Sequence, residues 1–136
     1  MARTLGVDLG SRRIGIAIAD SDGLVATPYA TLERTSDEAD AKAIVEIAAG
    51  EGVKQIVLGY PLSLDGTRGD AALVTEGFAE KIKQAGGKVK LWDERLTTVE
   101  ATKKLRAGGV RARKQRKVID RSAATLLLQS FLDSKK

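Results

Sequence analysis

The chain has 136 residues, 43% hydrophobic and 30% charged, with a formal net charge of +5 and neither cysteine nor histidine. That length builds one domain with a full core, residues 1–136, and no apolar run approaches the roughly 20 residues that a membrane-spanning helix needs. The missing residue types exclude disulfides, thiolate or imidazole metal sites, Cys nucleophiles and histidine bases. Chemistry here falls to oxygen acids, hydroxyls, Lys or Arg, and a bound metal would be a hard cation such as Mg²⁺ or Mn²⁺.

The Met1-Ala2-Arg3 start leads straight into a strand pattern rather than a signal sequence, so the chain reads as cytoplasmic and without a membrane partner. Leu5 to Leu9 and Ile14 to Ala19 read as two strands joined by the Ser11-Arg12-Arg13 turn, and Asp22-Gly23 signals a hairpin into Leu24 to Leu32. Thr35-Ser36-Asp37-Glu38 has the spacing of a capping box, and Ala43, Ile44, Ile47 and Ala48 give a helical stripe that ends at Gly50 or Gly52. Gln55 to Gly59 is a short buried strand, expected to pair in parallel because a helix crosses back before it.

Tyr60 to Asp70 carries Pro61, Asp65-Gly66 and Gly69 and reads as a loop at that strand's end, where open α/β sheets tend to place function. A helix over about Ala71 to Gln84 presents Val74, Phe78 and Ile82 on one face; Gly86-Gly87 breaks it and Lys88 to Trp92 alternates as a strand. A second capping box at Thr97 opens a helix that Gly108-Gly109 closes, and a final helix covers about Val118 to Leu132. The pattern βββαβαβαα describes one α/β domain with a mixed five-stranded sheet, three antiparallel strands first and then two parallel, flanked by about four helices.

Three acids occupy positions that local rules would not choose. Asp8 lies mid-strand in an apolar run, where an ionised carboxylate costs several kcal/mol unless it is paired, hydrogen-bonded or bound to a cation. Glu94, beside Asp93, falls at the C-terminal end of the Lys88 to Trp92 strand, and either acid of that pair could be the one that matters. Asp120, in the first turn of the last helix, shares the apolar face of Ala123, Ala124, Leu127, Leu128 and Phe131. Each has a bland alternative: a strand-edge position for Asp8, a surface pair with Arg95 for Glu94, a helix-dipole partner for Asp120. Asp20, Asp22 and Asp65 read as turn residues and Trp92 as core. If the trio converges, the carboxylates repel and raise one another's pKa unless divalent cations neutralise them. Such a cluster can hold two ions that activate water and stabilise the leaving oxygen of a phosphodiester.

Eight basic residues and no acid lie between Lys103 and Lys117, leaving 15 of the 23 basic residues against all 18 acidic ones elsewhere. The whole positive excess sits in one segment, made mobile by Gly108-Gly109, as expected for contact with a polyanion. A solvated helix face beside a basic loop is the alternative. The Ser11-Arg12-Arg13 turn follows Asp8 closely enough to reach a phosphate.

Four motifs carry a family resemblance: Val7-Asp8-Leu9-Gly10 with Arg13-Ile14-Gly15; Gly59-Tyr60-Pro61-Leu62 with Asp65-Gly66-Thr67; Asp93-Glu94-Arg95-Leu96-Thr97-Thr98; and Ile119-Asp120 with Ala123-Ala124 and Leu127-Leu128-Gln129. In this order they resemble the YqgF family of RNase H-like nucleases, also called RuvX, whose members are described as Holliday-junction resolvases and pre-16S rRNA nucleases. The resemblance spans nearly the whole chain. It implies an RNase H-like fold, a divalent-metal site (Mg²⁺ or Mn²⁺) on Asp8, Glu94 and Asp120, and cleavage of branched DNA or precursor rRNA. Arg12, Arg13, Arg68, Arg95, Arg111, Arg113, Lys114, Arg116 and Lys117 would then contact the nucleic acid. Where a basic residue is expected soon after Gly69, Asp70 stands instead, and Arg68 is the substitute. A homodimer would suit a symmetric cut at a four-way junction.

Two rival readings share these residues. Asp8-Leu9-Gly10 with a hairpin ending in Asp20 also resembles the first phosphate motif of actin and sugar-kinase ATPases, but their second domain and second phosphate motif are missing. A non-catalytic nucleic-acid-binding module would gain nothing from three acids beside a phosphate backbone.

Overall fold

A computed structural model describes residues 3–20, 23–61, 68–94 and 112–134, the stretch 112–122 as backbone only. The elements are β1 (Arg3–Leu9), β2 (Arg13–Ala19), β3 (Ala26–Glu33), α1 (Asp37–Gly50), β4 (Val53–Tyr60), α2 (Asp70–Gln84), β5 (Val89–Asp93) and α3 (Ala112–Asp133). They form one five-stranded sheet in the order β3-β2-β1-β4-β5. The first three strands pair antiparallel, β4 runs parallel to β1, and β5 runs parallel to β4. This is the mixed sheet that the strand spacing implied. Three helices flank it among the described residues; the helix expected after Thr97 lies outside them.

Strand alternation sorts side chains by size onto the two faces. Leu5, Val7, Ile14, Ile16, Ile18, Ile56 and Leu58 pack against Ala41, Ile44 and Ala48 of α1 and Phe78, Ala79 and Ile82 of α2. The opposite face is built from small residues, Ala17, Ala19, Ala26 and Val57, and meets Ala124, Leu128, Phe131 and Leu132 of α3. A Cβ added at Gly6 on this face would lie 2.7 Å from the Leu128 Cβ, so the missing side chain is what lets α3 lie so close to β1. Gln129 ties the β2–β3 hairpin to α3: its Oε1 accepts from the Ala26 N–H at 2.9 Å and its Nε2 donates to the Leu24 carbonyl at 2.9 Å. Trp92 packs edge-on against Phe131, ring centroids 5.4 Å apart, and donates Nε1–H to the Ser130 hydroxyl at 3.3 Å. It is a core residue, as expected.

The structure corrects several local expectations. The cap of α1 is Ser36, whose hydroxyl accepts from the Ala39 N–H at 3.1 Å, so Glu38 does not close a box and meets Lys81 instead. Thr35 donates its hydroxyl to the buried Asp40 at 2.7 Å. In α2, Val74 is 56% exposed and the inward stripe is Ala72, Thr75, Phe78, Ala79 and Ile82. Thr75 can replace an apolar residue there because its hydroxyl donates to the Ala71 carbonyl at 3.0 Å, leaving no unmet donor. Helix α3 starts at Ala112 rather than near Val118. Arg113, Lys114, Arg116 and Lys117 are therefore helical and not part of a loop, and Asp120 lies in the third turn, where a helix-terminus role no longer applies.

Candidate active site

The α3 face of the sheet collects the residues of interest through strand parity alone. Leu5 and Val7 face α1 and α2, so Asp8 faces α3; Ile14 and Ile16 fix the opposite parity for Gly15, and Ile56 and Leu58 for Gly59. Asp8 and Gly15 are register partners across β1 and β2. On the other side, Val7 pairs with Leu58, so Asp8 and Gly59 follow one another outward on adjacent parallel strands. Gly59 pairs with Trp92, and Glu94, two residues later, immediately follows the end of β5. A Cβ added at Gly59 would lie 2.5 Å from the Glu94 Oε1, which shows the Glu94 carboxylate lying directly over that glycine.

Two of the candidate acids, Asp8 and Glu94, are shifted by their surroundings. Burial raises the Asp8 pKa above its ordinary value. Burial, then the negative charge of Asp8, then that of Asp93, push Glu94 up to about 7. Asp93 therefore acts on the site as a neighbouring charge, while Glu94 shares Asp8's face. The Asp120 side chain lies outside the described set, but its place on α3 is informative. Leu128 covers the Cβ position of Gly6, and Ala124 lies 3.4 Å from that of Gly15, which itself is 3.8 Å from the Asp8 Cβ. One further turn toward the helix start, about 5.4 Å, brings the backbone of Asp120 past Asp8 toward the C-terminal end of β1.

The raised pKa of Glu94 has a consequence for stability. In metal-free protein the folded state holds a proton between pH 4.5 and about 7 that the unfolded state releases, so stability falls as pH rises through that window. The full shift corresponds to about 3 kcal/mol; screening at a part-exposed side chain reduces it to about 1–2 kcal/mol. Glu94→Gln is expected to flatten this slope and to stabilise the metal-free protein at pH 8 by that amount. Urea unfolding at pH 5 and pH 8 in EDTA measures it, and parallel losses in variant and wild type would refute the cause.

The basic residues divide. Arg13 lines a cleft of about 500 Å³ together with Asp8, Gly15, Tyr29, Thr31 and Ala124, and Arg12 is exposed on the adjoining turn. Arg68 stands apart, 3.5 Å from Glu76 at the rim of a second cleft that contains neither Asp8 nor Glu94. Arg95 and Arg111 lie outside the described residues; Arg113, Lys114, Arg116 and Lys117 occupy the first turns of α3.

Two supports were not anticipated. Arg34 donates to the Gly10 carbonyl at 3.3 Å while its own N–H donates to the Arg12 carbonyl at 2.9 Å, pinning the turn that follows Asp8. Gly59 makes room for Glu94. An isolated glycine at the end of an apolar strand was the available signal for the second; the first had none.

Comparison with known proteins places these observations in context. A family model described as RuvX, Holliday junction resolvase, matches residues 2–134. A protein of Myxococcus xanthus named "Putative pre-16S rRNA nuclease" is 44% identical over 133 residues, 97% of this chain and 88% of that protein. A protein of the same name from Anaeromyxobacter sp. strain K is 46% identical over 132 residues, 96% of each chain. Among solved structures, Thermus thermophilus RuvC in complex with a Holliday junction substrate aligns over 99% of this chain and 96% of its own, with TM-score 0.60 and 13% identity. The nuclease of the large terminase from phage G20c aligns over 74% of this chain and 49% of its own, with TM-score 0.53 and 12% identity. At such identities the likeness is one of fold, and it agrees with the RNase H-like expectation.

Proposed function

Since the chain belongs to the RuvX family, matched over residues 2–134, we propose that it is a divalent-metal-dependent endonuclease that hydrolyses phosphodiester bonds in structured nucleic acid. The observation that carries this reading is the approach of Asp8 and Glu94 on one sheet face, where burial disfavours both charges and the charge of Asp8 further disfavours that of Glu94. Two half-buried carboxylates brought together repel one another, and the pairing becomes favourable beside a cation.

The donor set fits Mg²⁺ or Mn²⁺, because it offers carboxylate oxygens and the chain contains no soft ligand apart from one methionine. Asp8 and Glu94 would hold the metal, with Asp120 as the third ligand. When bound, such ions lower the pKa of water and neutralise the charge that develops on the leaving oxygen. The protein's own residues supply the rest. Strand β1 carries Asp8 and the end of β5 fixes the position of Glu94, and α3 closes one side of the site. Arg12 and Arg13, with Arg95, Arg111, Arg113, Lys114, Arg116 and Lys117, hold the phosphate backbone, a role that sets affinity and register without reading bases. Arg68 contributes from farther away.

The named relatives favour precursor 16S rRNA as substrate, and the family description favours the four-way DNA junction. On a junction, two symmetric cuts would need two copies of the chain. Both substrates belong to the cytoplasm of a bacterium. The residues 1–136 would act as one nuclease domain.

Matched junction DNA and precursor rRNA, offered with Mg²⁺, with Mn²⁺ and with EDTA, test the proposal. Cleavage of one substrate or both with metal and none in EDTA is the expected result. Binding without cleavage under every metal condition would make the chain a nucleic-acid-binding module and overturn the reading.

A further inference from the structure

The side chain that Gly59 lacks would run into Glu94 before anything else. A Cβ there would approach Glu94 Oε1 at 2.5 Å, Cγ at 3.1 Å and Cδ at 3.2 Å, all three closest contacts coming from that one residue. Other glycines differ in what they protect. At Gly6 the added atom meets the Leu128 Cβ at 2.7 Å and the Ala124 carbonyl oxygen at 3.1 Å, and at Gly87 it meets Ile82 at 2.7 Å and Val45 at 3.0 Å. In those cases the core itself must move. At Gly59 the closest contacts all come from the far half of one flexible side chain, which can move.

We propose that Gly59 is a positioning residue: its bare backbone is the seat in which the Glu94 carboxylate rests beside Asp8. The inference rests on the metal-nuclease reading for what Glu94 does, and on geometry alone for why Glu94 lies where it does. Gly59 is buried in a strand whose φ is not in the left-handed region, so an alanine is compatible with the backbone. A methyl group would fill the seat and drive the carboxylate away by about 1 Å or more, the distance needed to restore ordinary contact. Misplacement on that scale is enough to cost about 100-fold in rate. The sheet has no comparable reason to respond, since alanine restricts the unfolded chain more than glycine does.

Gly59→Ala should therefore separate function from folding. The melting temperature should stay within about 3 °C of wild type or rise. Metal-dependent cleavage should fall about 100-fold, and the affinity for Mg²⁺, followed calorimetrically without nucleic acid, should weaken about 10-fold. Gly6→Ala, whose clash is with the core, should instead lower the melting temperature. The diagnostic variant is Gly59→Ala combined with Glu94→Asp. One methylene fewer draws the carboxylate back from the new methyl, so the double variant should cleave faster than Gly59→Ala alone, although Glu94→Asp by itself slows the enzyme.

Wild-type cleavage and Mg²⁺ affinity in Gly59→Ala would overturn the proposal. So would a fall in melting temperature that matches Gly6→Ala, or a double variant no faster than Gly59→Ala alone. Glu94→Gln separates the two levels. If it cleaves like wild type, the metal-nuclease role of Glu94 falls and the role of Gly59 falls with it. If it is inactive beside a fully active Gly59→Ala, only the role of Gly59 is lost.

Discussion

Asp8→Asn should lower metal-dependent cleavage by about 1,000-fold or more while the protein stays folded. The substitution preserves shape and removes one charge. Burial already disfavours the ionised form of Asp8, and the same charge raises its neighbour Glu94. A neutral amide relieves both costs, so the metal-free variant should melt at or above the wild-type temperature. On the proposed reading it would lose a negative oxygen donor for a hard cation, for which an amide oxygen is a poor replacement. Cleavage of the preferred substrate and thermal melting, measured side by side, decide the matter. Wild-type-like cleavage would sink the site assignment, and an unfolded variant would make Asp8 a structural residue.

The second large effect is on stability. Asp40 is 4% exposed and accepts from Arg34 Nε at 3.0 Å, Thr35 Oγ1 at 2.7 Å and the Thr35 N–H at 3.1 Å. Arg34 also pairs with Asp37 and stands 5.5 Å over the Phe78 ring. Asp40→Ala strands a part-buried guanidinium and two hydrogen-bond donors, which at a buried pair costs about 3 kcal/mol or more. For a chain of this size that is a fall of roughly 10 °C in melting temperature. Because Arg34 also pins the Gly10 carbonyl, cleavage well below melting should fall as well. A shift under about 2 °C would show that the pair with Asp37 suffices.

Much of the architecture was legible because it rests on period-2 alternation and on turn chemistry, which are local. Asp8 announced itself as a charge in an apolar strand, and Glu94 as an acid at a strand end. The early start of α3 was hidden for a physical reason. Arg113 to Lys117 has no apolar stripe, so charge and the nearby Gly108-Gly109 pair argued for a loop, although Arg, Lys, Gln and Ala are all strong helix formers. Val74 was misplaced because hydrophobicity outranked threonine in the pattern, and the structure buries Thr75 by satisfying its hydroxyl within the helix. Gly59 was read as the end of a strand. Its relation to Glu94 spans 35 residues of sequence and exists only where β4 and β5 lie side by side.

Helix α3 carries Arg113, Lys114, Arg116 and Lys117 on the same continuous backbone as Asp120. With a rise of about 1.5 Å per residue, Arg116 and Asp120 are separated by about 6 Å along the axis, and Arg113 and Asp120 by about 10.5 Å. A cation-bearing loop could grip a polyanion at any offset from the acids. On the proposed nuclease reading, a helix would act as a measuring rod instead: wherever its first turns settled on the phosphate chain, the point of cutting would follow at a set interval.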